Sequence, residues 1–401
     1  MTLRIAERLN RIKPSPSSMA GQRARELRAA GRDIVSLTSG EPDFDTPSNV
    51  VEAAARAMAE SRTKYTDVGG TPDLKAAIRA KFLRDNELSY TNHELIVSTG
   101  AKQVIFNALT CTVEHGDEVI VPAPYWVSYP DIVLLCDGNP VLVPCPPENG
   151  FKLRAEDLDR AITPRTRWLV LNAPNNPSGA IYSERELKAL TDVLLRHPHV
   201  WVMSDDIYEH LVYDERRFVT PAQIEPALKE RTLTINGVSK AYAMTGWRIG
   251  YGGAPAPLIK AMVKLQSQST SNPSSIGQAA AAEALSGPQD VIVDRTRTFQ
   301  QRRDRIVSLL NDIPDIRCHV PEGAFYLFPS CAAMIGRKTP DGRTIRSDEE
   351  FILYLLEAEN LAVLQGAAYG ASPYFRISFA TSIETLEEGC RRLRRACEAL
   401  R

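Results

Sequence analysis

The chain has 401 residues, of which 43% are hydrophobic and 24% charged, with 48 Lys and Arg against 49 Asp and Glu for a net charge of −1. That balance excludes an electrostatic case for nucleic acid or an anionic membrane, and the length suits two or three domains or one large α/β unit. The longest uncharged stretch, Leu265 to Ala282, is too rich in Ser, Gln and Ala to span a bilayer.

The N-terminus, MTLRIAERLNRIKP, has no continuous apolar run of a secretory signal, so a soluble, cytoplasmic protein is expected. Residues 1–48 read as an arm that joins the smaller domain: a short helix over Arg4–Lys13, a Pro/Ser break, then a helix over Gln22–Ala30 ended by Gly31. From there helix and strand alternate. Helices are predicted over Val51–Ser61, Pro72–Asp85, Ala101–Thr112, 183–195 and 255–266. Strands are predicted at Leu95–Ser98, Glu118–Val121, Val141–Val143, Trp168–Asn172, Val200–Ser204, Thr232–Ile235 and Arg248–Tyr251. These runs are short, apolar and β-branched without alternation, as strands buried on both faces are. The expected architecture for 49–285 is therefore α/β, a mostly parallel sheet with helices on both sides. After residue 285 the pattern predicts a smaller α+β domain, 286–401. It comprises a long helix (Asp290–Leu310), strands at Ile316–Val320, Ala324–Phe328, Ala362–Leu364 and Phe375–Phe379, and helices at Asp348–Glu359 and Ile383–Leu400.

Seven scattered cysteines without a CxxC pair predict reduced thiols in the core, and six histidines without HExxH give no metal site. There is no GxxxxGK[ST] and no early GxGxxG, which argues against P-loop and dinucleotide-binding readings. Ser98-Thr99-Gly100-Ala101-Lys102 joins a strand to a helix, where backbone N–H groups can hold a phosphate; a plain strand–helix turn reads equally well. In Gly237-Val238-Ser239-Lys240-Ala241-Tyr242-Ala243-Met244-Thr245-Gly246-Trp247-Arg248, a lysine follows a strand among small apolar residues. Desolvation lowers an ammonium pKa, which suits Lys240 to Schiff-base chemistry, and Arg248 offers a guanidinium to a phosphate. Ser204-Asp205-Asp206-Ile207-Tyr208-Glu209 ends a strand, where α/β sheets place ligand groups; Asp205 alone reads equally as a strand-end cap, and Asp206 as a solvated or structural residue.

With these segments in this order, the chain resembles the class I/II pyridoxal-phosphate-dependent aminotransferases, and within them the bacterial aspartate aminotransferase branch, through GEPDFDTP, PYWVSYP, SDDIYEHL and AMTGWRIGY. The resemblance runs from Lys13 through the last helix. It implies fold type I, a homodimer, and pyridoxal 5′-phosphate as cofactor, with no metal. It also implies roles residue by residue. Lys240 carries the cofactor and moves the proton, Asp205 pairs with the ring nitrogen, and Tyr208 and Asn176 face the ring oxygen. Trp126 stacks on the ring. Gly100, Ala101, Lys102, Ser239 and Arg248 hold the phosphate, joined by Tyr65 from the neighbouring subunit. Gly40, Trp126, Asn176 and Arg376 meet the substrate's α-carboxylate end, and Lys102 and Ser17 its distal carboxylate. Ser15 belongs to the same segment, and Ser18-Met19-Ala20 departs from the apolar residues usual there. The implied reaction passes an amino group from an L-amino acid, L-aspartate first, to a 2-oxo acid, 2-oxoglutarate first. An aromatic or prephenate aminotransferase is the alternative. A lyase, decarboxylase or racemase of the same fold would lack the second half-reaction. A ligand-sensing regulator would carry a DNA-binding extension.

Overall fold

The apolar runs form strands whose successive residues point to opposite, helix-covered faces. The structure, a computed structural model, describes residues 3–14 and 16–401. Its strands are β1 (Val35–Ser36), β2 (Leu95–Ser98), β3 (Glu118–Ala123), β4 (Asn139–Pro144), β5 (Thr166–Asn172), β6 (Trp201–Asp205), β7 (Thr232–Gly237), β8 (Gly250–Gly253), β9 (Tyr326–Leu327), β10 (Leu361–Ala362), β11 (Leu364–Gln365) and β12 (Phe375–Ser378).

Seven of these make one sheet in the order β2-β8-β7-β6-β5-β3-β4. The pairs from β7 through β4 are parallel, whereas β8 runs antiparallel to both β2 and β7. Val119, Val121, Trp168, Val170 and Met203 pack on one face with Val104, Ile105 and Leu109. Their neighbours Ile120, Leu169, Leu171 and Val202 pack on the other with Leu187, Leu190 and Leu194. Two covered faces explain why no alternation is visible in these strands.

A second body of core, built around Phe299, Ile306, Phe325, Phe351, Phe375 and Leu393, lies under the helices Asp290–Asn311, Asp348–Glu359 and Ile383–Ala399. Here β12 pairs antiparallel with both β11 and β9. The early strand β1 joins this part, pairing in parallel with β10 through Val35↔Leu361 and Ser36↔Ala362. Arg302 clamps Asp43 with two hydrogen bonds of 2.7 and 2.9 Å and so ties the segment after Gly40 to the long helix.

Several expectations are corrected. The second N-terminal helix starts earlier than Gln22 and runs Pro16–Ala29, because Pro at the first turn costs no hydrogen bond. Arg4–Lys13 shortens to a 3₁₀ turn over Glu7–Arg11. No strand forms at Ile316–Val320. There the side chain of Asn311 takes the main-chain groups of Cys318 that a ladder would use, at 3.0 and 3.1 Å. The last strand expected in the sheet starts at Gly250, not Arg248, which sits in a left-handed turn. Helices at Ser128–Leu135, Ala155–Ala161, Pro221–Ile224 and Ser275–Ser286 were not expected. The last occupies the uncharged stretch and buries Gly277, Gln278, Ala280, Ala281 and Ala284, so its want of charge marks burial.

All seven cysteines are free thiols, five of them buried. Among the described residues no helix is long and apolar enough to cross a membrane. Asp85, Glu209 and His210 converge closely enough to hold a cation, but the fully buried Lys81 ammonium is already there, paired with Glu209 and donating to Asn86 Oδ1 at 2.6 Å. The Lys81–Glu209 pair at the centre of this cluster is a buried ion pair.

Candidate active site

The parallel strands end on one edge of the sheet, and the residues just past those ends line a cavity of about 350 Å³. β5 delivers Asn172, β6 Asp205, and the turn after β7 delivers Ser239 and Lys240. Arg376 arrives from β12 in the other part of the fold.

Asp205 is held from two directions. Tyr129 donates its hydroxyl to Oδ2 at 2.6 Å, Asn172 donates to the Asp205 carbonyl at 2.9 Å, and Oδ1 is buried without any partner. Burial pushes the carboxyl up to about 6, opposed by the Tyr129 hydrogen bond and by Lys240 nearby. A buried oxygen aimed at nothing is costly unless a donor meets it, so this atom fits the protonated ring nitrogen of pyridoxal phosphate. Asp206 points away, taking the Ser204 hydroxyl at 2.6 Å; it is 1% exposed, so it is structural and not solvated.

Lys240 Nζ donates to the Gly40 carbonyl at 2.6 Å. Burial, then the charges of Arg248 and Arg376, bring its ammonium down to about 8, with Glu41 and Asp205 opposing. Its neutral, nucleophilic form therefore grows in as pH rises through 8, well below the range of surface lysines. Competitive labelling of the cofactor-free protein with a small amine reagent is expected to show Lys240 titrating near pH 8. A midpoint above pH 10 would contradict that environment.

The phosphate end is equally defined. Gly100 caps the helix Ala101–Thr112 at φ +85°, a conformation that favours glycine, and leaves the first N–H groups of that helix facing the cavity. Arg248 Nη1 is fixed by the Thr245 carbonyl at 2.9 Å, and a Cβ on Gly100 would fall 2.5 Å from Nη2. On β8, a Cβ on Gly250 would run into the backbone nitrogen of Ala101. Two helix-terminal amides, Ser239 and a guanidinium thus make a cradle of the right chemistry for a phosphate dianion.

At the opposite end, Arg376 donates to Asn176 Oδ1 at 3.0 Å and to the Thr38 carbonyl at 2.8 Å, leaving Nε buried and unpartnered. Asn176 is itself held by Asn172 Oδ1 at 2.9 Å. The Trp126 ring meets Tyr129 edge-on at 5.2 Å, and the Lys102 ammonium lies 4.7 Å from the centre of the Trp126 ring. Burial and the charge of Arg248 lower the Lys102 pKa. Tyr208 shares a 2.9 Å hydrogen bond with Tyr326.

Gly40, Ala101, Lys102, Trp126, Asn176, Asp205, Tyr208, Ser239, Lys240, Arg248 and Arg376 all line this single cavity, and Gly100 adjoins it. Tyr65 does not: it is 93% exposed on its own chain and outside the cavity. Ser15 lies outside the described residues, and Ser17 is placed only as part of the helix Pro16–Ala29. Tyr129, Asn172, Glu41 and Tyr326, for which no role was expected, also line the site. Glu41 and Tyr129 fall inside GEPDFDTP and PYWVSYP, a signal that could have found them, and Asn172 ends a predicted strand; Tyr326 sits in an ordinary apolar strand and carries no signal.

Known proteins bear on this geometry. The family model of class I and II aminotransferases matches residues 32–393. The aspartate aminotransferase of Rhizobium meliloti (strain 1021) is 56% identical over 98% of this chain and 96% of its own. The aspartate/prephenate aminotransferase of Cereibacter sphaeroides is 56% identical over 99% of both. Among solved structures, the Rhizobium meliloti enzyme superposes with a TM-score of 0.97 at 55% identity over the whole of both chains. The Thermus thermophilus aspartate aminotransferase, determined with maleate, gives 0.91 at 41% identity over 98% of this chain and 100% of that one. A match of this length and closeness, on a cavity with this chemistry, places the chain among the class I and II aminotransferases, enzymes of fold type I that work with pyridoxal phosphate.

Proposed function

We propose that this aminotransferase takes the amino group of L-aspartate and passes it to 2-oxoglutarate. The observation that carries the reading is the charge of the cavity: Lys102, Lys240, Arg248 and Arg376 face it against Glu41 and Asp205 alone. One cation suits the phosphate, one the reaction centre, and the remaining two suit the two carboxylates of an acidic substrate. The names of the relatives point the same way.

When bound, pyridoxal phosphate supplies an electron sink for the charge left on the substrate's Cα. The chain's residues divide the remaining work. Asp205 Oδ1 would accept from the ring nitrogen and keep it protonated. Arg376 grips the α-carboxylate with its free Nε edge, and Asn176 steadies that guanidinium. Trp126 would lie against the ring, Tyr208 would donate to its oxygen, and Lys102 would meet the distal carboxylate. Lys240 Nζ takes the proton from Cα and later returns it. In two successive half-reactions, the same groups serve the donor and the acceptor.

We further infer a cytoplasmic homodimer whose small domain comprises 286–401 with the N-terminal 1–48, around a cofactor domain at 49–285. The pairing of β1 with β10 supports joining the chain's two ends, and the outward Tyr65 supports a partner subunit's phosphate as its target.

Visible absorbance of the loaded enzyme tests the reading. L-Aspartate alone is expected to bleach the band, and 2-oxoglutarate to restore it. A band indifferent to aspartate but bleached by glutamate and restored by prephenate would favour the second specificity, which relatives at this identity carry in their names. A band that no amino acid bleaches reversibly would refute transamination.

A further inference from the structure

Tyr326 stands on β9 directly opposite Ser378 of β12, so it shares a face with Arg376 two residues away. Its ring lies under the Arg376 guanidinium, 4.3 Å from centroid to carbon, and the side chain is buried. Its hydroxyl meets the Tyr208 hydroxyl at 2.9 Å, with the two rings edge to face at 5.8 Å. The same oxygen would be 3.7 Å from a Cβ on Gly40, the residue whose carbonyl holds Lys240. One side chain thus abuts three groups assigned to the chemistry.

The two phenols carry one proton each and share one hydrogen bond. If Tyr208 donates, its proton is turned away from the cavity. If Tyr326 donates, the Tyr208 proton is released toward the cavity, and accepting a bond makes Tyr208 the stronger donor. An anionic oxygen in the cavity selects the second arrangement. Resting on the pyridoxal-phosphate reading above, we propose that Tyr326 is a positioning residue for two groups at once: its hydroxyl aims the Tyr208 proton at the cofactor's ring oxygen, and its ring seats Arg376 for the substrate carboxylate.

The two jobs separate by substitution. Tyr326→Phe keeps the ring and removes the hydroxyl; Tyr326→Leu removes both. Weakening Tyr208 as a donor makes the neighbouring cofactor-bearing lysine hold its proton more tightly. In Tyr326→Phe, the pH at which the visible band of the substrate-free loaded enzyme changes form is expected to rise by about half to one unit. Asp205 from β6, Arg376 from β12 and Tyr369 face the two phenols, and Arg248, Arg376, Glu41 and Asp205 face Lys240; the substitution leaves all of them in place. Affinity for succinate, a dicarboxylate that cannot react, is expected to stay within twofold of wild type. Tyr326→Leu is expected to show the same rise and, in addition, succinate binding weakened roughly five- to thirtyfold.

A Tyr326→Phe midpoint at the wild-type value would overturn the hydroxyl's role. Succinate affinity in Tyr326→Leu equal to that of Tyr326→Phe would overturn the ring's role. If Tyr326 served packing only, both variants would melt earlier with midpoint and affinity unmoved. Absence of a visible band from the wild-type protein would instead refute the cofactor reading.

Discussion

Replacing Lys240 by alanine is expected to cut transamination by at least about 10⁴-fold while leaving a folded protein. The loss follows from the two tasks proposed for one nitrogen, carrying the cofactor and moving the Cα proton, for which no other amine is placed: Lys102 faces the Trp126 ring instead. The fold survives because the lysine contributes little to it. Its hydrogen bond to the Gly40 carbonyl opens onto the cavity, where water can replace it, and its ammonium pays a desolvation cost that alanine does not. Steady-state rates and a thermal melt check both halves. Turnover within tenfold of wild type would remove Lys240 from the reaction.

Asp205→Asn is expected to lower turnover roughly 10²–10³-fold, the loss seen when one fixed electrostatic partner of a developing charge is removed. Asparagine fills the same volume and can still accept the Tyr129 hydroxyl, but it cannot hold a ring nitrogen in its charged form. The cofactor-free variant is expected to melt at or above the wild-type temperature. A buried carboxylate with one oxygen unpartnered is strained toward protonation, and the amide relieves that. A variant that is both less stable and fully active would mean that Asp205 is a structural cap after all.

The sequence made the cavity legible wherever a residue's chemistry is unusual for its position. Lys240, following a buried strand among small residues, stands out by its chemistry alone; Asp205 by itself reads equally as a cap, and Arg376 follows only from the resemblance, yet all three reach the cavity. Tyr326 was illegible because its meaning comes from the β9–β12 pairing, which sets it beside Arg376 and which no local pattern encodes. Tyr129 was hidden for a related reason: the helix that aims it at Asp205 is an eight-residue segment with little periodicity. The antiparallel β8 escaped notice because Gly250-Tyr251-Gly252-Gly253 has almost no side chain from which direction could be read. In Ile316–Val320, strand propensity was real but lost to a side chain, Asn311, that sequence separation alone does not link to it.

The bare backbone of β8 beneath the helix Ala101–Thr112 sets where this enzyme can diversify. Gly250 has no room for a methyl group beside the backbone of Ala101, and Gly100 holds a φ of +85° that strains any other residue, so a saturation library at either position should return glycine almost alone. Descendants of this sequence inherit the anion seat as a fixed unit. Variation in the acids accepted is open instead at Lys102 and Trp126, whose side chains line the cavity in contact with each other.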